Sequence, residues 1–185
     1  CAAAAMTFGP MSFAQQAPEK KDVTIAVGGK SLYYYLPLSI AEQLGYFKDE
    51  GLNVKIVDFQ GGSRSLQAVV GGSADVVSGA FEHTISMQAK KQPMTAFVLQ
   101  GRAPQLALVV SNKTMKDYKQ LSDLKGKKVG VTAPGSSSQM VANFILKKGG
   151  LGPKDVAFIG VGSSSGAVSA IRSGQIDAFI NLDPV

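Results

Sequence analysis

GVTAPGSSSQMVANFILKKGG, residues 130–150, changes character twice within one short stretch. Gly-Val-Thr closes an apolar strand, Ala-Pro-Gly turns the chain, and three serines precede a helix with apolar residues at helical spacing. The helix runs out at Gly149-Gly150, just after the basic pair Lys147-Lys148. A strand that passes through a glycine turn into a helix is the building unit of a parallel α/β sheet. The start of such a helix leaves backbone N–H groups unpaired and carries a partial positive charge, which favours anions.

Outward from this stretch the pattern continues as strand VAFIGV, turn GSSSG, helix AVSAIRSG and strand IDAFINLD. The same order occurs earlier in the chain. An apolar strand at 23–27 ends in Gly28-Gly29, and the loop KSLYYYLP leads to a helix over 38–50 that stops at Gly51. Strand LNVKIVDF, turn GGS, helix SLQAVVGG and strand ADVVSGA follow. Setting Asp75 on Asp177 aligns Ser63 with Ser165, Ala68 with Ala170 and Gly72 with Gly174, and the Gly51-Leu52 and Gly150-Leu151 pairs match. The chain therefore reads as a structural duplication of α/β units, with parallel sheets and right-handed crossovers. Residues 96–99 and 106–110 read as apolar strands around a crossing segment, GRAPQ, stiffened by Pro104. Ligands of such sheets bind at the carboxyl ends of the strands. If those ends face each other, the loops KSLYYY, QGGS and SGAFE meet APGSSS, GVGSSS and NLD across a cleft.

The 185 residues, 45% of them hydrophobic, suffice for one domain or two small lobes. The net charge of +6 is spread over short doublets such as Lys90-Lys91, which argues against a nucleic-acid stripe. Residues 103–185 hold ten basic and five acidic groups, against nine and eight in 15–102, so the second part carries most of the positive field. Residues 1–14, CAAAAMTFGPMSFA, are uncharged and end in a small-x-small pattern, and read as the tail of a secretory signal cut after Ala14. A lipid-modified Cys1 is the rival reading. Both place the mature chain outside the cytoplasm, and no later segment is long and apolar enough to span a membrane.

Four pieces stand out together: LPLSIAEQLGYFKDEGLNVKIV, GGSRSLQAVVGGSADVVSG, ALVVSNKTMKDYKQLSDLKGKKVGVTAPGSSS and AIRSGQIDAFINLDP. In order and spacing they resemble one family, the periplasmic solute-binding proteins of ABC importers of the nitrate, sulfonate and taurine type. The resemblance implies a periplasmic-binding-protein-like α/β fold, with two lobes joined by a hinge and a cleft between them. It also implies a monomer that captures a small anion and delivers it to a membrane permease. Residues 15–102 then form the first part of lobe 1 and 103–185 an incomplete lobe 2, with the hinge near 101–105. Chains of this family run on past this length, so the sequence is expected to be a shortened chain.

Family position and residue chemistry together nominate the ligand contacts. In APGSSS, Gly135 allows close backbone approach, and the hydroxyls of Ser136, Ser137 and Ser138 can donate to an acidic head group. One serine suffices to cap the helix, leaving the others for the ligand. Leu32, Tyr33 and Tyr34 occupy the first pocket loop, where a ring can stack on a ligand. Gly62 and Ser63 form a second helix start, and Gly79, Ala80 and Phe81 follow a strand end. Arg102 can pair with an anion, and Asn181 and Asp183 lie at the last strand's end. Glu82 would repel an anion unless it met an amino group, and His83 reads as a helix-start or packing residue.

Enzymatic chemistry finds no support in these motifs. There is no paired His and Cys ligand set, no Gly-x-Ser-x-Gly elbow with catalytic partners and no phosphate loop with the full spacing that ends in Gly-Lys-Ser/Thr. Thiamine-pyrimidine synthases resemble the same family, but rely on a cysteine-rich metal motif, and the one cysteine here is Cys1. The expectation is a binding protein without metal or cofactor and not an enzyme. An aromatic acid or a thiamine-pyrimidine-type compound is the alternative ligand, with an enzyme of the same fold behind it.

Overall fold

The computed structural model describes residues 17–184, so the signal reading of 1–14 and the fate of Cys1 lie outside the described residues. Strands β1 (Asp22–Val27), β2 (Asn53–Asp58) and β3 (Val76–Val77) form a parallel sheet in the order β2-β1-β3. Strands β4 (Leu106–Val110), β5 (Lys128–Val131), β6 (Ala157–Gly160) and β7 (Ala178–Leu182) form a second sheet in the order β4-β7-β5-β6. Its pairings are parallel except for β4, which runs antiparallel to β7.

All but one of the helices sit in crossovers between parallel strands of one sheet, forming β-α-β units. The first half carries α1 (Leu36–Gln43), α2 (Tyr46–Asp49), α3 (Gly62–Val70) and α4 (Glu82–Ala89). The second carries α5 (Ser137–Lys148) and α6 (Ser165–Ser173). Ile25 and Val27 of β1 form one core with Leu32 and Tyr35, which bury apolar area worth about 25 cal/mol per Å². In the second half, α5 packs Ala142 on Val131 and Ile180, while α6 packs Ala167 and Ala170 on Ile176 and Phe179.

The duplication extends to single hydrogen bonds. The N–H groups of Ser73 and Gln175 donate to the carbonyls of Ala68 and Ala170, and those of Gly72 and Gly174 to Val69 and Ile171. Gly72 and Gly174 hold φ of 75° and 84°, the left-handed region that glycine enters without a Cβ penalty. At the other helix ends Leu52 donates to Phe47 and Leu151 to Leu146.

Two predicted elements differ. The single helix expected over 38–50 is broken by Gly45 at φ 82°, which separates α1 from α2. The strand expected over 96–99 does not form, and Phe97 is 74% exposed. An apolar run becomes a strand only where a neighbour accepts its hydrogen bonds, and no described strand pairs with this one. Among the described residues no helix is long and apolar enough to cross a membrane.

Candidate functional site

The carboxyl ends of the two sheets touch. Ser136 Oγ accepts the Ser63 N–H and donates to Ser63 Oγ, both at 3.1 Å, and Ser63 Oγ donates to the Pro134 carbonyl at 2.9 Å. Glycine makes the approach possible on the first-half side. Gly61, at φ 90°, lies so close to the second half that a Cβ there would stand 3.0 Å from the Ala133 Cβ. The Tyr33 N–H donates to the Asp183 carbonyl at 3.1 Å, and Leu182 packs against the first-half core.

Beside this contact lies a cavity of about 220 Å³ shared by both halves. Leu32, Tyr34, Gly62, Gly79, Ala80 and Phe81 line it from the first half. Arg102 lines it from the crossing segment, and Ser137 from the start of α5. The remaining nominated residues are elsewhere. Ser63 and Ser136 are spent on each other, and the exposed ring of Tyr33 does not line the cavity. The Gly135 N–H donates to Gln139 Oε1 at 2.6 Å. Asn181 is buried, with its amide directed to the Gly162 carbonyl, and Asp183 contributes its backbone to Tyr33.

The three serines thus divide their work. Ser138 is fully buried and its hydroxyl accepts the Thr132 N–H at 3.0 Å, tying α5 to the end of β5. Ser136 is the N-cap by position, yet its hydroxyl serves the other half and makes no capping bond. Only the Ser137 hydroxyl has no partner in the protein, and the N–H groups of Ser137 and Ser138 also find no protein acceptor. These donors sit at the N-terminus of a twelve-residue helix, where the dipole favours negative charge.

Further lining residues went unnominated, and one signal could have found two of them. Ser137, Met140 and Val141 stand at i, i+3 and i+4 of α5, so they share one helix face, and all three line the cavity. Tyr35 and Glu82 also line it. Tyr35 is buried and its hydroxyl accepts the Gly28 N–H at 3.1 Å. Burial pushes its phenol up to about 12, against the opposing effect of that bond. The Tyr34 phenol is likewise raised, first by burial and then by the charge of Glu82, and its hydroxyl donates to the Gly79 carbonyl at 3.2 Å. His83, buried behind the wall, is held below its ordinary range by burial, which outweighs the pull of Glu82. Among the described residues no three His, Cys, Asp or Glu side chains gather into a metal-binding group.

Comparison with known proteins adds a family and a set of folds. A family model described as NMT1/THI5 like matches residues 33–185. A 4-amino-5-hydroxymethyl-2-methylpyrimidine phosphate synthase of Schizosaccharomyces pombe is 27% identical over 162 residues, covering 87% of this chain and 45% of the synthase. A Saccharomyces cerevisiae protein of the same activity is 25% identical over 163 residues, covering 87% of this chain and 46% of that protein. The chain thus spans about half the length of these relatives.

A solved structure from Bordetella bronchiseptica RB50 is 67% identical with a TM-score of 0.88, over 90% of this chain and 52% of that one. The alkanesulfonate-binding protein of Xanthomonas axonopodis pv. citri, bound to MOPS, is 22% identical with a TM-score of 0.66, over 91% of this chain and 56% of its own. The periplasmic nitrate-binding protein of Synechocystis PCC 6803 is 21% identical with a TM-score of 0.66, over 91% and 48%. These likenesses establish the periplasmic-binding-protein fold. The curated relatives also correct one expectation, that the chain is not an enzyme, since the relatives it matches are named as synthases. Motif absence misled there, because fold relatives can share an architecture while placing their chemistry in different side chains.

Proposed function

Because the chain belongs to the NMT1/THI5-like family, we propose that it serves as the ligand-binding component of an ABC importer outside the cytoplasm. Residues 15–102 and 103–185 act as two lobes hinged near 101–105, close on a small organic acid and present it to a membrane permease. The observation that carries this reading is the helix-start residue Ser137, whose hydroxyl and N–H find no protein partner and which lines, together with Arg102, one cavity between the sheet ends. Donors fixed by the backbone and a guanidinium suit a sulfonate or carboxylate. The apolar walls of Leu32, Phe81, Met140 and Leu182 suit an organic body better than bare nitrate. At about 220 Å³ the cavity is below the roughly 300–1,000 Å³ usual for drug-sized ligands, so the solute is small.

The curated relatives and the rings of Tyr34 and Phe81 favour a second reading, in which the cavity holds and transforms a pyrimidine-type compound. Calorimetric titration of the full chain with alkanesulfonates, taurine, nitrate, aromatic carboxylates and pyrimidines separates the two. Binding of organic acids that weakens in Ser137→Ala supports the first. Binding confined to pyrimidines, with a product detected by mass spectrometry, supports the second. Binding of none of these overturns both.

A further inference from the structure

Glu82 and His83 open α4 at the wall of the same cavity, and each holds a buried polar atom with no hydrogen-bond partner, Glu82 Oε1 and His83 Nε2. Glu82 lines the cavity directly. His83 is 5% exposed, and its Nε2 would stand 3.1 Å from a Cβ added to Gly62, itself a lining residue. Across the cavity Arg102 is also without an ion pair, so two opposite charges face one space without meeting. A buried carboxylate oxygen without a donor is costly, and native proteins rarely leave one unless something else satisfies it. Tyr34 does not supply the donor, because its hydroxyl is directed to the Gly79 carbonyl. Ser137 stands on the opposite half, at the helix start that favours the acid.

We infer that the cavity is built for a zwitterion, a small molecule whose ammonium or other N–H donor meets Glu82 while its acid group meets Ser137 and Arg102. This rests on the organic-acid reading above and narrows it, since a simple anion would leave Glu82 both unpaired and repelled. The Glu82 side chain becomes the determinant that separates amino-bearing acids from their plain counterparts, because leaving a buried charge unpaired penalises the wrong ligand more than the contact rewards the right one.

The test is calorimetric titration of the full chain with two probe pairs that differ only by the ammonium, taurine against ethanesulfonate and 4-(aminomethyl)benzoate against 4-methylbenzoate. In at least one pair the amino-bearing member is expected to bind at least about tenfold more tightly. Glu82→Gln, checked for folding by circular dichroism, is expected to abolish that preference while leaving the plain acid bound as well or better. Plain acids that bind equally or more tightly in the unaltered chain overturn the zwitterion inference and leave the organic-acid reading standing. A preference that survives Glu82→Gln overturns the assignment to Glu82. Failure of all four probes overturns the inference together with the reading on which it rests.

Discussion

Asp75 and Asp177 make the same pair of hydrogen bonds in the two halves. The Asp75 N–H donates to the Thr24 carbonyl at 2.9 Å while its Oδ2 accepts the Thr24 N–H at 2.8 Å. The Asp177 N–H donates to the Lys128 carbonyl at 2.9 Å, and its Oδ2 accepts the Lys128 N–H at 2.9 Å. Each aspartate thereby fastens the loop after a helix to the first residues of the strand beside it. This shared clamp sets the height at which the strands β3 and β7 leave the sheets, and so where the loops beyond them reach the cleft.

The clamps make stability acid-sensitive. Asp75 is held below the usual carboxylate range by its bond from Lys20 and by the Thr24 N–H. For Asp177, burial pushes upward but the Lys128 N–H, Thr114 and two lysines outweigh it, so its carboxyl is also lowered. A carboxyl lowered by folding contributes stability above the unfolded value, near 3.9, and loses it as pH falls through the folded value. Urea denaturation between pH 7 and pH 2.5 is expected to show midpoints that fall below about pH 4. Asp177→Asn is expected to flatten that fall, and an unchanged slope would remove Asp177 from the account.

Tyrosine ionisation reports the pocket wall. Of five tyrosines, Tyr34 and Tyr35 are raised, Tyr35 to about 12. A spectrophotometric titration is expected to show two phenols ionising late, with one lost from the late phase in Tyr35→Phe. Because the neutral phenol is the favoured folded form, its contribution is complete below about pH 10 and is lost as pH rises toward 12. Tyr35→Phe also strands the buried Gly28 N–H, a loss of about 1–3 kcal/mol in chemical denaturation.

The three serines are expected to separate cleanly. Ser138→Ala removes the acceptor for the buried Thr132 N–H and is expected to cost about 1–3 kcal/mol of stability. Ser137→Ala touches no protein partner, so the melting temperature should hold while affinity for an organic acid falls about three- to tenfold. Melts and titrations of both variants decide it. Equal loss of stability in the two would mean that Ser137 is structural.

Gly61 and Gly72 both hold a positive φ, but only Gly61 faces the other half. Alanine costs roughly 1–2 kcal/mol of backbone strain at Gly72 and about 1–3 kcal/mol at Gly61, whose φ of 90° and ψ of 156° are essentially reserved to glycine. Gly61→Ala also crowds Ala133, whereas a Cβ on Gly72 meets nothing within 4 Å. Small-angle scattering is expected to show a larger radius of gyration for Gly61→Ala alone, with weaker acid binding. Matching radii for the two variants would contradict the contact between the sheet ends.

The repeat was legible because its signals are local. The glycine stops and the aspartate before each returning strand recur at a fixed distance, and each does its work within a few residues of backbone. The parallel order followed from the alternation of elements. The strand at 96–99 was misread because apolar composition does not reveal whether a partner edge exists. The serines show the same limit at finer scale. Their types announced a helix start, but which hydroxyl is left free to face the cavity depends on Ser63 and Thr132, residues 73 and 6 positions away. Met140 and Val141 were legible in principle from helical spacing, whereas the unpaired oxygen of Glu82 becomes visible only in three dimensions.

The most direct test of the account is an amide-resolved NMR titration of the ¹⁵N-labelled full chain with a small organic acid. The account predicts that the backbone amides of Ser137 and Ser138 show the largest shifts, together with residues around Arg102, and that Ser137→Ala reduces them. Saturable shifts confined to other surfaces, with Ser137 and Ser138 unmoved, would contradict it.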